Sequence, residues 1–256
     1  MKRMVFTLGL LVILTVVVAL AASAAPEVQV LNGPRIPVRE GTSLNWAGYV
    51  VETNLASPQN YVVTDVKGQW VVPSVNATTG NTYSAVWVGI DGYDPNSSKT
   101  VEQIGTEQDY VKGTARYYAW YEMYPAASHL IKYSVYPGDN MKAEVQYSNG
   151  QFVLTLTNVT EKWTYTTAQK LNKAVRDSAE WIVEAPGNII LPLAEFGTVT
   201  FSGAQATINN ITGPIDNKAY WQNDAITMND PNGGGTATPS RLFDSHGVSS
   251  FSVTRN

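Results

Sequence analysis

The chain has no cysteine and only two histidines in 256 residues. The first absence removes any disulfide framework, any thiol nucleophile and every Cys-based metal site. The second leaves His129 and His246 as the only possible imidazole bases for a Ser-His-Asp enzyme. No Gly-x-Ser-x-Gly elbow accompanies them, and both read as surface histidines. The His-Glu-x-x-His ligands of a zinc protease are missing. So are the paired Asp-Thr-Gly or Asp-Ser-Gly turns of a pepsin-type enzyme. Charge is scarce as well: Asp, Glu, Lys and Arg make up 15% of the chain, with a net charge of −4. With no basic patch to neutralise phosphates, nucleic acid is not an expected partner. A surface with few ionisable groups loses few charge pairs in acid, so an acidic working environment suits it.

Long apolar runs are also few. The one present, Val5 to Ala21, is broken only by Thr7, Gly9 and Thr15. Lys2 and Arg3 precede it and Ala22-Ser23-Ala24 follows, the pattern of a secretory signal cut after Ala24 or Ala25. The run is close to membrane-spanning length, so an uncleaved anchor is the alternative. The small-residue exit and the lack of a charged stop-transfer segment favour removal. Residues 1–24 are thus expected to be a signal peptide of a secreted protein with no stable membrane association. Residues 25–43, with three prolines and no clear period, read as an arm or short propeptide. Residues 44–256 are long enough to bury a core as one domain.

What is abundant is Thr, Ser, Asn, Val and Tyr, a composition that favours sheet and turn. Alternating segments recur with turn signals between them. They include Val62 to Val71, Ser84 to Ile90, Val101 to Ile104, Ala115 to Glu122, Gln151 to Asn158, Ser178 to Val183 and Gly197 to Ser202. Pro137-Gly138-Asp139-Asn140 and Ser148-Asn149-Gly150 are tight-turn chemistry. Only Thr167 to Arg176 has much helical character. The expectation is an all-β sandwich or barrel. Gly233-Gly234-Gly235 reads as a flexible loop, with no Lys-Ser or Lys-Thr after it to make a phosphate cradle. Asn76, Asn96, Asn158 and Asn210 each begin a glycosylation acceptor pattern.

Carboxylates are the catalytic groups left. Glu180, Ile182 and Glu184 share one face of their strand, opposite Trp181 and Val183. Glu180 and Glu184 are about 13 Å apart along an extended chain, beyond the roughly 5 to 9.5 Å of a glycosidase pair. A partner on another strand would be needed, with Asp91, Glu102, Glu107, Asp109 and Glu122 as candidates. Taken singly, a Glu or Gln on a strand is usually a solvated outward residue. Trp87, Trp120 and Trp181 more often pack a core than bind a ligand.

Seven segments, in order, carry more than any residue alone. They are Asn45-Trp46-Ala47-Gly48, Trp70-Val71-Val72-Pro73-Ser74-Val75, Trp87-Val88-Gly89-Ile90-Asp91-Gly92, Gln103-Ile104-Gly105-Thr106, Ala119-Trp120-Tyr121-Glu122-Met123-Tyr124-Pro125, Ala179-Glu180-Trp181-Ile182-Val183-Glu184 and Phe196-Gly197-Thr198-Val199-Thr200-Phe201. Together they resemble the glutamic peptidases, the eqolisin family G1. The resemblance implies a sandwich of two curved antiparallel sheets, similar to concanavalin A and the legume lectins, with the substrate groove on the concave face. It implies that Gln103 and Glu180 are the catalytic dyad, and that Trp87, Asp91, Glu107, Trp120 and Glu122 line or support the groove. The implied activity is a secreted acid endopeptidase acting on polypeptides as a monomer, without metal or cofactor and insensitive to pepstatin. The chain departs from the fungal members in its lack of disulfides, in Glu107 where Asp is usual, and in its short prosegment. It is similar in this to a prokaryotic-type branch. Two other readings of such a fold are a glycan-binding module with aromatic platforms and a glycosidase with facing carboxylates.

Overall fold

The computed structural model describes residues 41–94, 96, 98–187, 191–230 and 235–256. The expected signal peptide, the arm up to residue 40 and the glycines at 233 and 234 lie outside the described residues. Among the described residues there are seventeen strands and no helix. The first six are β1 (Thr42–Ser43), β2 (Trp46–Glu52), β3 (Val63–Val71), β4 (Ala85–Ile90), β5 (Val101–Val111) and β6 (Thr114–Tyr124). Then come β7 (His129–Ser134), β8 (Asn140–Ser148), β9 (Gln151–Asn158), β10 (Trp163–Gln169) and β11 (Ser178–Glu184). The last are β12 (Thr198–Ile208), β13 (Ile211–Gly213), β14 (Gln222–Asp230), β15 (Gly235–Pro239), β16 (Phe243–Ser245) and β17 (Val248–Arg255).

Local chemistry explains the hairpins. In β9, Phe152, Leu154 and Leu156 are buried while Thr155 and Thr157 point outward, the alternation of a strand with one wet face. Asn149 and Gly150 both have positive φ, 51° and 74°, as a two-residue turn matched to strand twist requires. Asp139 closes the Pro137-Gly138 turn by accepting from the Tyr136 N–H at 2.8 Å and from Asn158 Nδ2 at 2.7 Å. That contact buries Asn158, so it is not an accessible glycan acceptor, whereas Asn76, Asn96 and Asn210 are exposed. The segment read as most helical instead continues β10 to Gln169 and then turns into β11. β1 lies inside the segment read as an arm and pairs parallel with β14.

The strands form two layers. One runs β14-β2-β11-β4-β5-β6-β7. The other runs β14-β15-β17-β12-β3-β8-β9-β10, with β13 on β12 and β16 on β17. β14 belongs to both: Gln222–Ile226 pair with β2 and Met228–Asp230 with β15. The pairing is antiparallel throughout apart from β1 on β14 and an isolated bridge from Tyr83 to Leu193. The main core fills the space between the layers, with Trp181, Phe152, Phe201, Leu154 and Ile104 fully buried. Trp181 bridges them, its indole N–H donating to the Lys67 carbonyl at 2.8 Å. Gly68 makes room for that indole, since a Cβ there would stand 2.9 Å from Trp181 Cδ1.

Candidate active site

The first layer has a second face, turned away from the main core. Directly paired residues of neighbouring strands point to the same side, so the register reads out this face in rows. One row is Asp224, Val50, Glu180, Gly89, Gln103 and Glu122, on β14, β2, β11, β4, β5 and β6. Glu180 and Gln103, 77 positions apart in the chain, thus stand on either side of one glycine. Two strand spacings separate their Cα atoms, about 9.5 Å. The glycine matters: a Cβ on residue 89 would meet Trp87 Cζ3 at 2.9 Å and Gln103 Cβ at 3.2 Å. With no side chain on residue 89, the carboxyl and the amide project from the same side of the sheet on either side of it.

The next row holds Ile226, Gly48, Ile182, Trp87, Gly105 and Trp120, and the one beyond it Trp46, Glu184, Ala85, Glu107 and Tyr118. The aromatic and aliphatic members form a smaller apolar cluster of their own. Trp87 meets Trp46 edge to face at 5.0 Å, and its indole N–H donates to Glu184 Oε2 at 2.8 Å. Asn45 Nδ2 donates to Glu184 Oε1 at 3.1 Å. Trp87 packs in this cluster and hydrogen-bonds Glu184, while Trp120 is buried with its indole nitrogen unpaired among the described residues.

On the opposite side of the row with Glu180 and Gln103, Glu52 pairs in register with Ser178, whose carbonyl accepts the Asp91 N–H. Asp91 ties the end of β4 to the start of β11. Its carboxylate accepts from the Val175 and Asp177 amides at 2.9 and 3.0 Å and from Thr100 Oγ1 at 3.1 Å. It is fully buried and supports the strand that carries Glu180.

The electrostatics are those of crowded, desolvated carboxyls. Burial, with the charges of Asp91, Asp177 and Glu52 behind it, pushes Glu180 well above the usual carboxylate range, against a smaller opposing effect of Ser178. Neither Glu180 oxygen has a hydrogen-bond partner among the described residues. Gln103 Nε2 donates to Glu122 Oε2 at 2.6 Å, and Gln103 Oε1 is unpaired. Burial raises Glu122 to about 8 with help from the Glu184 charge, and Glu184 itself to about 7. Glu107 is pushed well above its ordinary range by burial and by Asp109, which burial raises to about 7. Burial also raises Asp91 to about 7 and Glu52 to about 9.

The register therefore gathers Gln103, Glu180, Trp87, Glu107, Trp120 and Glu122 on one face, with Asp91 beneath its edge. Of the cross-strand carboxylates weighed from sequence, Glu102 falls on the other side, in line with Ile90 and Met123 of the main core. Glu52, Asp177, Glu184 and Asn45 were not singled out as site residues, although the last two lie within the matched segments. A depression of about 250 Å³ beside Lys67, Lys142 and Thr157 lies on the other layer, away from this chemistry.

Comparison with known proteins fits this geometry. Residues 44–249 match the model of the peptidase A4 family. Aspergillopepsin-2 of Aspergillus niger is 32% identical over 217 residues, covering 74% of this chain and 73% of that protein. Scytalido-glutamic peptidase, solved with a transition-state analogue inhibitor, shares the fold at a TM-score of 0.64 and 22% identity, over 83% of this chain and 98% of that one. Aspergilloglutamic peptidase from Aspergillus niger superposes with a TM-score of 0.56 at 26% identity, over 68% of this chain and 99% of that one. The chain belongs to the peptidase A4 family, the glutamic peptidases.

Proposed function

We propose that this protein is a secreted acid endopeptidase in which Glu180 and Gln103 cleave peptide bonds as a dyad on a lectin-like sandwich. The observation that carries the reading is their placement in one register row with only Gly89 between them. In this reading a water and the scissile carbonyl are held between the two side chains. Burial raises the proton affinity of the Glu180 carboxylate, which suits it to take a proton from water. That carboxylate takes a proton from the water as the oxygen attacks the carbonyl carbon. The amide Nε2–H of Gln103 donates to the oxyanion that develops, and as a neutral donor it serves across the acid range. Glu180 then passes its proton to the leaving amine, the C–N bond breaks, and the carboxylate is restored.

Glu122 turns the Gln103 amide by accepting from Nε2. An amide–carboxylate neighbour of this kind is not the facing carboxylate pair of a glycosidase. Glu122 and Glu180 stand three strand spacings apart, about 14 Å between Cα atoms. Residues 1–24 act as the secretory signal and residues 25–43 as an arm or short prosegment in this reading. Proteolysis of a denatured protein by residues 25–256 across pH 2 to 8 tests it, beside Glu180→Gln and Gln103→Ala. Acid cleavage lost in both variants is expected. A folded variant that retained wild-type proteolysis would remove that residue from the dyad.

A further inference from the structure

Glu184 was set apart from Glu180 by the length of the strand between them, and the two rows do keep the carboxyls apart. The Trp87 indole spans that separation. Its Nε1 end reaches the Glu184 row, where it donates to Oε2 at 2.8 Å. Its Cζ3 end reaches the dyad row, lying 2.9 Å from where a Cβ of Gly89 would be. One flat ring therefore touches the base of the space between Gln103 and Glu180 at one end and is tethered at the other. The tether is itself braced. Asn45 Nδ2 holds the second oxygen of Glu184 at 3.1 Å, and Ser43 Oγ donates to Asn45 Oδ1 at 3.3 Å. Trp46 closes the side of the ring edge to face. Gly105 brings β5 close on the other side, since a Cβ there would stand 2.6 Å from Trp87 Cβ. The Nε1 bond to Glu184 fixes the far end of the ring.

We propose that Glu184, braced by Asn45, is a positioning residue for the peptidase reaction, acting through the Trp87 indole to fix the wall of the space between Gln103 and Glu180. The proposal rests on the dyad reading above, and it concerns alignment of the bound peptide, not a proton transfer. Loss of the tether leaves the substrate able to bind but less often aligned for attack. A misplaced wall therefore acts on kcat more than on KM.

A double-mutant cycle on kcat tests this, using Glu184→Leu, Glu184→Gln, Trp87→Phe and the pair Glu184→Leu/Trp87→Phe. Phe keeps a ring and loses the N–H, and Gln keeps an acceptor for it. Losing one buried hydrogen bond of this kind corresponds to a fall of about tenfold in kcat for Glu184→Leu. Glu184→Gln is expected to restore most of that loss. Trp87→Phe is expected to lower kcat by a similar factor, and the pair to be no worse than Trp87→Phe alone. Two single effects that simply multiply in the pair would overturn the proposal. So would an unchanged kcat in Trp87→Phe, which also decides the matter if Glu184→Leu does not fold. Gln103→Ala and Glu180→Gln are measured in parallel. Activity surviving in either breaks the dyad reading, whereas the coupling between Glu184 and Trp87 stands or falls on its own cycle.

Discussion

Glu52 offers a direct measure of how strongly the site resists neutral pH. Its carboxyl is fully buried, neither oxygen has a hydrogen-bond partner among the described residues, and burial with nearby Asp177, Asp94, Asp91 and Asp224 raises it to about 9. A carboxyl raised on folding binds its proton more tightly in the folded state. Stability is then greatest below the ordinary value of 4.5 and is lost as pH rises from there toward 9. Between 4.5 and pH 8 the loss is about 3.5 pH units at about 1.4 kcal/mol each, or at most about 5 kcal/mol. Glu52→Gln removes this titration while keeping the shape. Thermal melts of both proteins at pH 3.5 and pH 8 are the assay. Any fixed difference between the variant and wild type is read in acid, where both side chains are neutral, and serves as the baseline. Its relative gain at pH 8 is expected to be up to about 10 to 20 °C, for 2 to 4 °C per kcal/mol in a domain of this size. A difference between the proteins that is the same at both pH values would refute the reasoning, because it would mean that Glu52 never pays for its burial with a held proton.

Gly89→Ala should fold but lower kcat about a hundredfold, because the new methyl must displace Trp87 or Gln103; steady-state kinetics beside a melt would show it. Trp181→Phe should cost about 1 to 3 kcal/mol in urea unfolding, since it strands the Lys67 carbonyl between the layers. Pepstatin and a chelator should leave peptidase activity unchanged, because the proposed proton path uses one carboxyl and one amide; loss of activity with either would point to a different catalytic group.

Much of this was legible in the chain. The strand around Glu180 was correctly read to within one residue, because Trp181, Ile182 and Val183 are strand-favouring residues in a row between Glu180 and Glu184. β5 was read as far too short. Its second half, from Gly105 to Asp109, is buried on both faces while carrying Thr, Glu, Gln and Asp, so no apolar alternation marks it. Gln103, Glu180 and the residues named around them came from matching segments, not from periodicity. What the sequence hid was cross-strand register. Glu184 looked unrelated to the site by distance along its own strand, and only the pairing of β11 with β4 sets it beside the Trp87 indole. Glu52 and Asp177 were invisible for the same reason. Their significance lies in which other carboxyls they face.

The position of β11 has a consequence in time. It is hydrogen-bonded between β2 and β4, although more than eighty residues of chain separate it from the end of β4. Such long-range insertion closes late, because the intervening loop must be ordered before the contacts repay it. Until residues 178–184 take their place, Glu180 has no Gly89 beside it and Gln103 has no counterpart across the sheet. On the proposed mechanism, a nascent chain carries both members of the dyad and none of their geometry, so a partly folded copy does not digest its neighbours.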